Sequence, residues 1–433
     1  MNHTYRLVWN EENQRYVPAP ECARTRGKRS GGVLWSVVHA LAAAFAPPRV
    51  AQAPAENALP SGGQVVAGQA GIRQSGNRMT VDQASSRAVI DWQGFDIGSQ
   101  AAVHFNQPSA DAVALNRVLA GDASRIHGQL TANGQVWLVN PKGVIFGAGS
   151  RVSVGGLVAS TMDITNADFM AGKAVFDRDG AIGGIENHGQ ITAADGGLVA
   201  LLAPAVKNDG IVSARLGKVV LAAGERIALD IDADGLLSVA VDPAAVKTLI
   251  ENRQLIVADG GEVVMTGRAA NLLSASVVTK HGTVQARTMA GREGRILLLA
   301  DMEHGRTEVS GTLDASAPDG GNGGFIETSA AKVSFDDAVL ITTKAGKNGK
   351  NGRWLIDPSD FTIAESGGDI TGALLSSQLG EGDVEIQSSL GGAGGGGDIH
   401  VNDAVSWSEN TLTLTAARDI NMGSSQKTEN KAR

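Results

Sequence analysis

Cysteine is almost missing from this sequence: Cys22 is the only one in 433 residues. A disulfide within the chain is thereby excluded. Aromatic side chains make up 4% of the residues, and the only two tyrosines are Tyr5 and Tyr16. Compact enzyme cores usually draw on large aromatic side chains, so a core here must be built from Val, Ile, Leu and Ala. A surplus of positive charge is missing as well: 37 Lys and Arg face 45 Asp and Glu, a formal net charge of -8. That argues against a nucleic-acid binder, which needs a basic face to neutralise phosphates. The apolar stretch at residues 33–45 is too short to span a bilayer comfortably. Glycine, by contrast, is plentiful at 56 residues, which predicts turns every few residues. The length allows a sizeable core in one long domain or a few ordinary ones.

The N-terminus reads as a leader. Arg24, Arg26, Lys28 and Arg29 precede the apolar stretch, and Ala51, Ala53 and Ala55 follow it. These are the basic, apolar and small-residue regions of a secretory signal peptide. A buried helix fits poorly, because it would set four cations beside an apolar segment that runs into Pro47-Pro48. Cleavage is expected after Ala55, since cutting after Ala53 would put Pro54 first in the mature chain. Upstream lies an additional segment beginning Tyr5-Arg6-Leu7-Val8-Trp9-Asn10. It resembles the extended signal-peptide region of very large exported proteins of Gram-negative bacteria.

From about residue 62 the texture is uniform. Short β-branched runs alternate with Gly, Asn and Asp turns, as in Gly63-Gln64-Val65-Val66-Ala67-Gly68 and Gly217-Lys218-Val219-Val220-Leu221. A turn-plus-strand unit recurs as Asn187-His188-Gly189-Gln190-Ile191, Asn208-Asp209-Gly210-Ile211-Val212, Lys280-His281-Gly282-Thr283-Val284 and Val309-Ser310-Gly311-Thr312-Leu313. Adjacent copies are spaced as solenoid rungs are. The expected fold is all-β: a right-handed parallel β-helix with short extra-helical β elements. At roughly 20–25 residues per coil, it would have on the order of fifteen coils and a length of roughly 70–80 Å. The best helical exception is residues 109–119, where Ala112, Val113, Leu115, Val118 and Leu119 share one helical face and Ser109 is placed to cap it. Further along, residues 344–353 read as a flexible basic loop, and residues 391–397 as a glycine linker. The chain then closes without an evident polar cap, as the front of a longer protein or a truncated product would.

Residues 56–170 carry a closer likeness. They include Arg87-Ala88-Val89-Ile90-Asp91-Trp92, Val103-His104-Phe105-Asn106-Gln107-Pro108-Ser109, Leu115-Asn116-Arg117-Val118 and Val136-Trp137-Leu138-Val139-Asn140-Pro141-Lys142-Gly143-Val144. This resembles the N-terminal secretion domain of filamentous-haemagglutinin-like two-partner-secretion exoproteins, and the block at residues 354–363 resembles their adhesin branch. The resemblance implies a cognate outer-membrane barrel transporter with periplasmic recognition modules as partner. It also implies a secreted location, extracellular or on the cell surface of a Gram-negative bacterium. The family's NPNGI turn maps onto Asn140, Pro141, Lys142, Gly143 and Val144, with Lys and Val in place of the second Asn and the Ile. Those residues either contact the partner or only shape a turn. The family's NPNL motif is not found, and Asn106-Gln107-Pro108 is a poor substitute. A mature chain without Cys suits passage across a second membrane unfolded, and equally suits a repetitive fold that has no need of Cys. The implied organisation is a cleaved leader at 1–55, the secretion domain with the first coils at 56–310, further coils at 311–390, and an incomplete β segment with its linker at 391–433.

Competing chemistry is thin. Asp230-Ile231-Asp232-Ala233-Asp234-Gly235 opens like a calcium loop, but Val241 stands where a bidentate Glu belongs. Histidines 104, 127, 188, 281, 304 and 400 are scattered, and no phosphate loop or nucleophile elbow occurs. No cofactor and no enzymatic activity is expected. The reading is therefore an adhesin-type exoprotein that binds a host or neighbouring-cell receptor or glycan. Two alternatives stand beside it. One is a β-helix polysaccharide-degrading enzyme using Asp230, Asp232 and Asp234, and the other is a haemolysin or haem-acquisition exoprotein of the same secretion class.

Overall fold

The computed structural model describes residues 5–10, 15–20, 53–231, 237–268, 276–389 and 396–423. It divides into two units, Met1–Gln52 and Ala53–Arg433. In the first, strand Tyr5–Asn10 pairs antiparallel with Arg15–Pro20. The basic and apolar stretches of the leader lie outside the described residues. No helix among the described residues is long and apolar enough to cross a membrane.

In the second unit the chain visits three sheets in rotation. Gln129–Ala132, Gln135–Val139 and Val144–Phe146 lie one in each, and Arg151–Val154 then returns to the first. Among the described residues the three sheets hold eleven, thirteen and eight strands, and successive strands of the coils pair in parallel. This is a parallel β-helix. Its physical basis is visible in one inward column of the eleven-stranded sheet. There Met79, Val103, Leu130, Val152, Ile191, Val212, Ile256, Val284, Leu313 and Ile341 stand in unbroken register. All ten are buried. Burying a side chain of this kind contributes about 1.5–3 kcal/mol, and no single coil could bury it alone.

Bare coils are short: Gln190 pairs with Ile211 and Gln135 with Gly156, each 21 residues on. The later coils are longer, with Phe325 meeting Arg353 after 28 residues and Glu262 meeting Arg295 after 33. Two insertions add further length, so the thirteen-stranded sheet carries twelve parallel strands rather than fifteen coils. The stack is accordingly roughly 50 Å long, shorter than the 70–80 Å expected from sequence.

The insertions build a small antiparallel sheet of Ala174–Asp177, Arg226–Ile231 and Leu237–Asp242. With helix Asn166–Met170 it covers the outer face of the thirteen-stranded sheet, where Trp137 packs edge-on to Phe169 at 5.4 Å. This cover explains the failure of the one helical expectation. Residues 113–118 are a strand, Val113–Val118. Ala114 and Val118 face the interior, while Val113 and Leu115 face the covering layer. A strand buried on both faces loses its alternation and reads as a helical stripe. At the N-terminal end, Gln64–Ala67 lies antiparallel on Arg87–Trp92, and the hairpin Ala70–Ser75/Arg78–Gln83 closes the first coil, covering an otherwise open edge.

Residues 344–352 are also not the flexible loop read from composition. Their backbone stacks on the turn below: Gly346 N–H donates to Gly321 O, Gly323 N–H to Lys350 O, and Lys350 N–H to Asn322 Oδ1 at 3.0 Å. Repetition of the turn on consecutive coils supplies the partners a lone loop would lack. Residues 390–395 of the glycine run lie outside the described residues. Beyond them Ile399–Val401 pairs in parallel with Phe361–Ile363, and Leu412–Thr415 with Asp383–Gln387, so the stack continues.

The turn repeats seen in the sequence all fall at one corner of the eight-stranded sheet. Asn187, Asn208, Asn252 and Lys280 occupy one register there, fully buried. Asn187 Nδ2 donates to Asn208 Oδ1, and Asn208 Nδ2 to Asn252 Oδ1, each at 2.7 Å. Lys280 ends this ladder, with Nζ donating to Ser310 O at 2.9 Å. Burial pushes its ammonium down to about 7. The folded state therefore resists protonation of Lys280 while the unfolded chain accepts it below its ordinary value of 10.5. Stability should fall as pH drops from about 10.5 to about 7 and lose this dependence below that. Lys280→Met should raise the urea midpoint at pH 7 and flatten the profile between those limits. Identical slopes for the two proteins would show that Lys280 does not control it.

Candidate functional site

The turn at Asn140–Gly143 follows strand Gln135–Val139 and precedes Val144–Phe146. Gly143 N–H donates to Asn140 O at 2.9 Å, which closes a four-residue β-turn. Pro141 occupies the position where a fixed φ is favourable. Lys142 does not adopt positive φ, so the position demands neither Gly nor Asn and Lys enters without strain. Gly143 has φ +125, and a Cβ there would sit 3.0 Å from Gly184 O; the position requires glycine.

The five sequence-predicted residues divide sharply by burial. Asn140, Gly143 and Val144 are buried, whereas Pro141 and Lys142 are exposed. Asn140 is committed to the fold. Its Oδ1 accepts from Lys142 N–H at 2.9 Å, and its Nδ2 donates to Asp122 O and Ser124 Oγ, each at 3.0 Å. Val144 pairs with Ser124 on one side and Ile185 on the other. The structure thus makes three of the five architectural and leaves two at the surface.

Beside the turn lies a cleft of about 600 Å³. It is lined by Pro141, Lys142, Thr161, Asp163 and the loop at 178–183. The loop joins the small outer sheet back to the coils. Arg178 holds one end, paired with both Glu225 carboxylate oxygens at 2.8 and 3.1 Å and donating to Ala181 O. Gly183 holds the other end against the turn: a Cβ there would lie 2.6 Å from Gly143 N and 2.7 Å from Pro141 O. In this loop Ile182 is 84% exposed.

Ala55, the expected cleavage position, is exposed at the start of the second unit. The next residue is already tied to a coil, with Glu56 O accepting from Gln100 N–H and Glu56 Oε2 from Gln100 Nε2, each at 2.8 Å. Gly98 is pressed beneath this segment. A folded coil therefore sits directly against the bond that cleavage would cut.

Sequence reading missed Gln107. It is buried, and its Nε2 donates to Gln83 Oε1, Ala112 O and Gln135 O at 3.0–3.1 Å, while Oε1 accepts from Gly134 N–H at 3.0 Å. Asn133 brackets its backbone, bonding Gln107 N–H and O at 2.7 Å each. The available signal was recurrence: Gln83, Gln107 and Asn133 fall at one-coil intervals.

Asp230 is exposed on the outer hairpin opposite Ser238, and Asp232 and Asp234 lie outside the described residues. Val241 is buried in strand Leu237–Asp242, so its position belongs to a β-hairpin rather than to a calcium loop between helices. The histidines stay dispersed. His104 meets Thr131, His281 meets Ser310, and burial beside Arg125 lowers the His127 imidazole. Among the described residues no three His, Cys, Asp or Glu side chains group to hold a metal.

The chain is similar to known proteins in sequence and in fold. Residues 56–314 match the family described as TPS secretion domain, and residues 1–48 match the Extended Signal Peptide of Type V secretion system. A Heme/hemopexin-binding protein of Haemophilus influenzae strain Rd is 37% identical over 252 residues, covering 56% of this chain and 27% of that protein. A second Haemophilus influenzae protein of that name is 34% identical over 301 residues, covering 63% of this chain and 31% of it. The chain thus spans under a third of either curated relative. Among solved structures, the HMW1 secretion domain of Haemophilus influenzae aligns with a TM-score of 0.59 at 24% identity, covering 84% of this chain and all of that one. The filamentous hemagglutinin secretion domain aligns at 0.46 and 16%, covering 67% of this chain and 99% of that one.

Gln107→Ala should lower stability by about 1–3 kcal/mol, the cost of leaving buried partners unsatisfied, and Asn106→Ala by far less. Equal urea midpoints for the two variants would remove Gln107 from its place in the framework.

Proposed function

This chain belongs to the two-partner-secretion family, and from that premise we propose how its parts are used. It is a secreted exoprotein of the Gram-negative type V class, carrying an extended signal peptide. In the proposal the leader is removed after Ala55, and the coils from Glu56 onward are delivered to a cognate outer-membrane barrel transporter with periplasmic recognition modules. The observation that carries it is a coincidence of boundaries. The secretion-domain match begins at residue 56, the residue that leader chemistry makes the mature N-terminus, and Glu56 makes paired hydrogen bonds to the first coils.

The role after export is binding rather than catalysis. The long outer face of the stack suits an adhesin-type exoprotein that recognises a receptor or glycan on a host or neighbouring cell. Both curated relatives carry a haem- and hemopexin-binding name, and this favours haem acquisition as the second reading. Haem titration followed by Soret absorbance, run beside a cell-adherence assay, separates the two.

Expression in a Gram-negative host with and without the cognate transporter tests the pathway. The expected result is transporter-dependent release of a chain whose N-terminal residue is Glu56. Release without the transporter, or a folded protein held in the periplasm, would overturn it. Asn140→Ala and Gly143→Ala should reduce release through misfolding, visible as a lowered melting temperature of the purified protein.

A further inference from the structure

Among the described residues the eleven-stranded sheet stops at Leu340–Thr342, while the thirteen-stranded sheet goes on to Asp383–Gln387 and Leu412–Thr415. In the rotation of the chain, helix Gly372–Gln378 falls where the next strand of the shorter sheet is due. One buried side chain of that helix caps the sheet edge. Ile341 N–H donates to Gln378 Oε1 at 2.9 Å, and Gln378 Nε2 donates to Val339 O at 3.4 Å. The edge is thus protected, but no outward side chain of a further strand stacks on Leu340, which stays 44% exposed. Strand and helix both line a cleft of about 630 Å³. Its apolar lining is Ala338, Val339, Leu340, Ala373 and Leu374, and every charged residue in its lining is acidic: Asp337, Glu365 and Asp403. The bias extends around it. Residues 333–343, 363–380 and 402–410 supply the lining. They carry Asp336, Asp337, Glu365, Asp369, Asp403 and Glu409, and no Lys, Arg or His. The cations next along the chain are not in the lining: Lys332 lies within electrostatic reach of Asp369, and Lys344 pairs with Glu381 at 3.6 Å. Asp403 is fixed, with its two carboxylate oxygens accepting from Gly372 and Ala404 N–H at 2.7 Å each. Asp337 and Glu365 enter no ion pair among the described residues.

We propose that in the folded, exported protein this cleft binds a basic, amphipathic segment of a protein on the target cell. The proposal rests on the binding role argued above and names its surface and its ligand chemistry. Like charges beside an exposed apolar strip are complementary to a cation that brings its own apolar group. Lys and Arg side chains do this, because their methylene stems lie on apolar surface while the charge stays at the rim. An apolar neighbour in the same segment covers Leu340. A neutral glycan brings no charge for the carboxylates, and a sulfated one is repelled by them. A metal ion is not called for, since no three carboxylates among the described residues group to hold one. The lining runs from Asp337 to Asp403, beyond the secretion-domain match at residues 56–314. The site therefore forms with the later coils, after export, and makes no demand on the step at the transporter.

The test uses the purified, folded mature chain and a synthetic peptide of alternating Lys and Leu, with affinity measured by calorimetry. Wild type should bind this peptide, more weakly as salt rises, and should not bind the same peptide with Glu in place of Lys. The double variant Asp337→Asn, Glu365→Gln should weaken binding about tenfold and lose most of the salt dependence. Leu340→Ser should weaken it severalfold, and Leu340→Met should retain it, all with wild-type melting temperatures. Asp230→Asn, at an exposed acid of the outer hairpin, serves as control and should bind as wild type. Equal affinities for the cleft variants and wild type would overturn the site. Spermidine binding as tightly as the peptide would overturn the occupant, because a free amine would then suffice. Adherence of beads coated with the mature chain separates this site from the wider binding role. Adherence that survives in both the acid-pair and Leu340→Ser variants sinks the cleft alone. A wild type that neither adheres nor binds the peptide sinks both.

Discussion

Everything in this molecule depends on the parallel register of one coil on the next. Strands in a sheet sit about 4.8 Å apart, so a residue and its equivalent one coil later meet side chain to side chain. The column from Met79 to Ile341 shows the consequence: every position must be apolar and of middling size, since a larger group would clash above and below. Aromatic rings are sparse inside the stack, where Phe105 and Phe146 are buried in regular strands. Trp92 and Phe95 pack edge-on at 5.4 Å near the N-terminal closure, and Phe335 with Trp354 at 5.0 Å where the coils lengthen. The 4% aromatic content is therefore a consequence of stacking.

The same register decides how polar groups enter the interior. A lone buried amide is costly, but in a stack its partner can be its own equivalent one coil away. Asn187, Asn208 and Asn252 satisfy one another along the axis, and Gly189 and Gly210 N–H donate to the first two. Where the column is not repeated, a tryptophan indole fills the need. Trp92 Nε1 donates to Asn116 at 3.0 Å, and Trp354 Nε1 to Thr328 at 3.1 Å. Lys280 takes an asparagine position without an asparagine's acceptor; among the described residues its Nζ donates to the Ser310 carbonyl, and burial is why its charge is held so weakly.

Much of this is legible in the order of the residues. Short β-branched runs, glycine turns and the Asn-x-Gly recurrence specify a solenoid, because period-two strands and a fixed repeat are properties of neighbouring residues. What escaped were features that depend on a second layer. Residues 113–118 look helical because a covering sheet removes their alternation, and that sheet comes from strands far along the chain, Ala174–Asp177, Arg226–Ile231 and Leu237–Asp242. Residues 344–352 look flexible because their partners belong to the turn beneath. Gln107 looks ordinary because its bonds run to residues 83 and 135. The coil count failed for the same reason: composition shows turns but not which loops leave the stack.

The candidate site shows why a motif and a surface can differ. Asn, Pro and Gly at residues 140, 141 and 143 are what a tight turn between two coils requires, and the structure uses them for that purpose. Any chain with this fold at this corner would favour such residues, so their presence alone cannot separate recognition from folding. Burial of Asn140, Gly143 and Val144 follows from the packing of one coil on the next, which leaves Pro141 and Lys142 alone of the five at the surface.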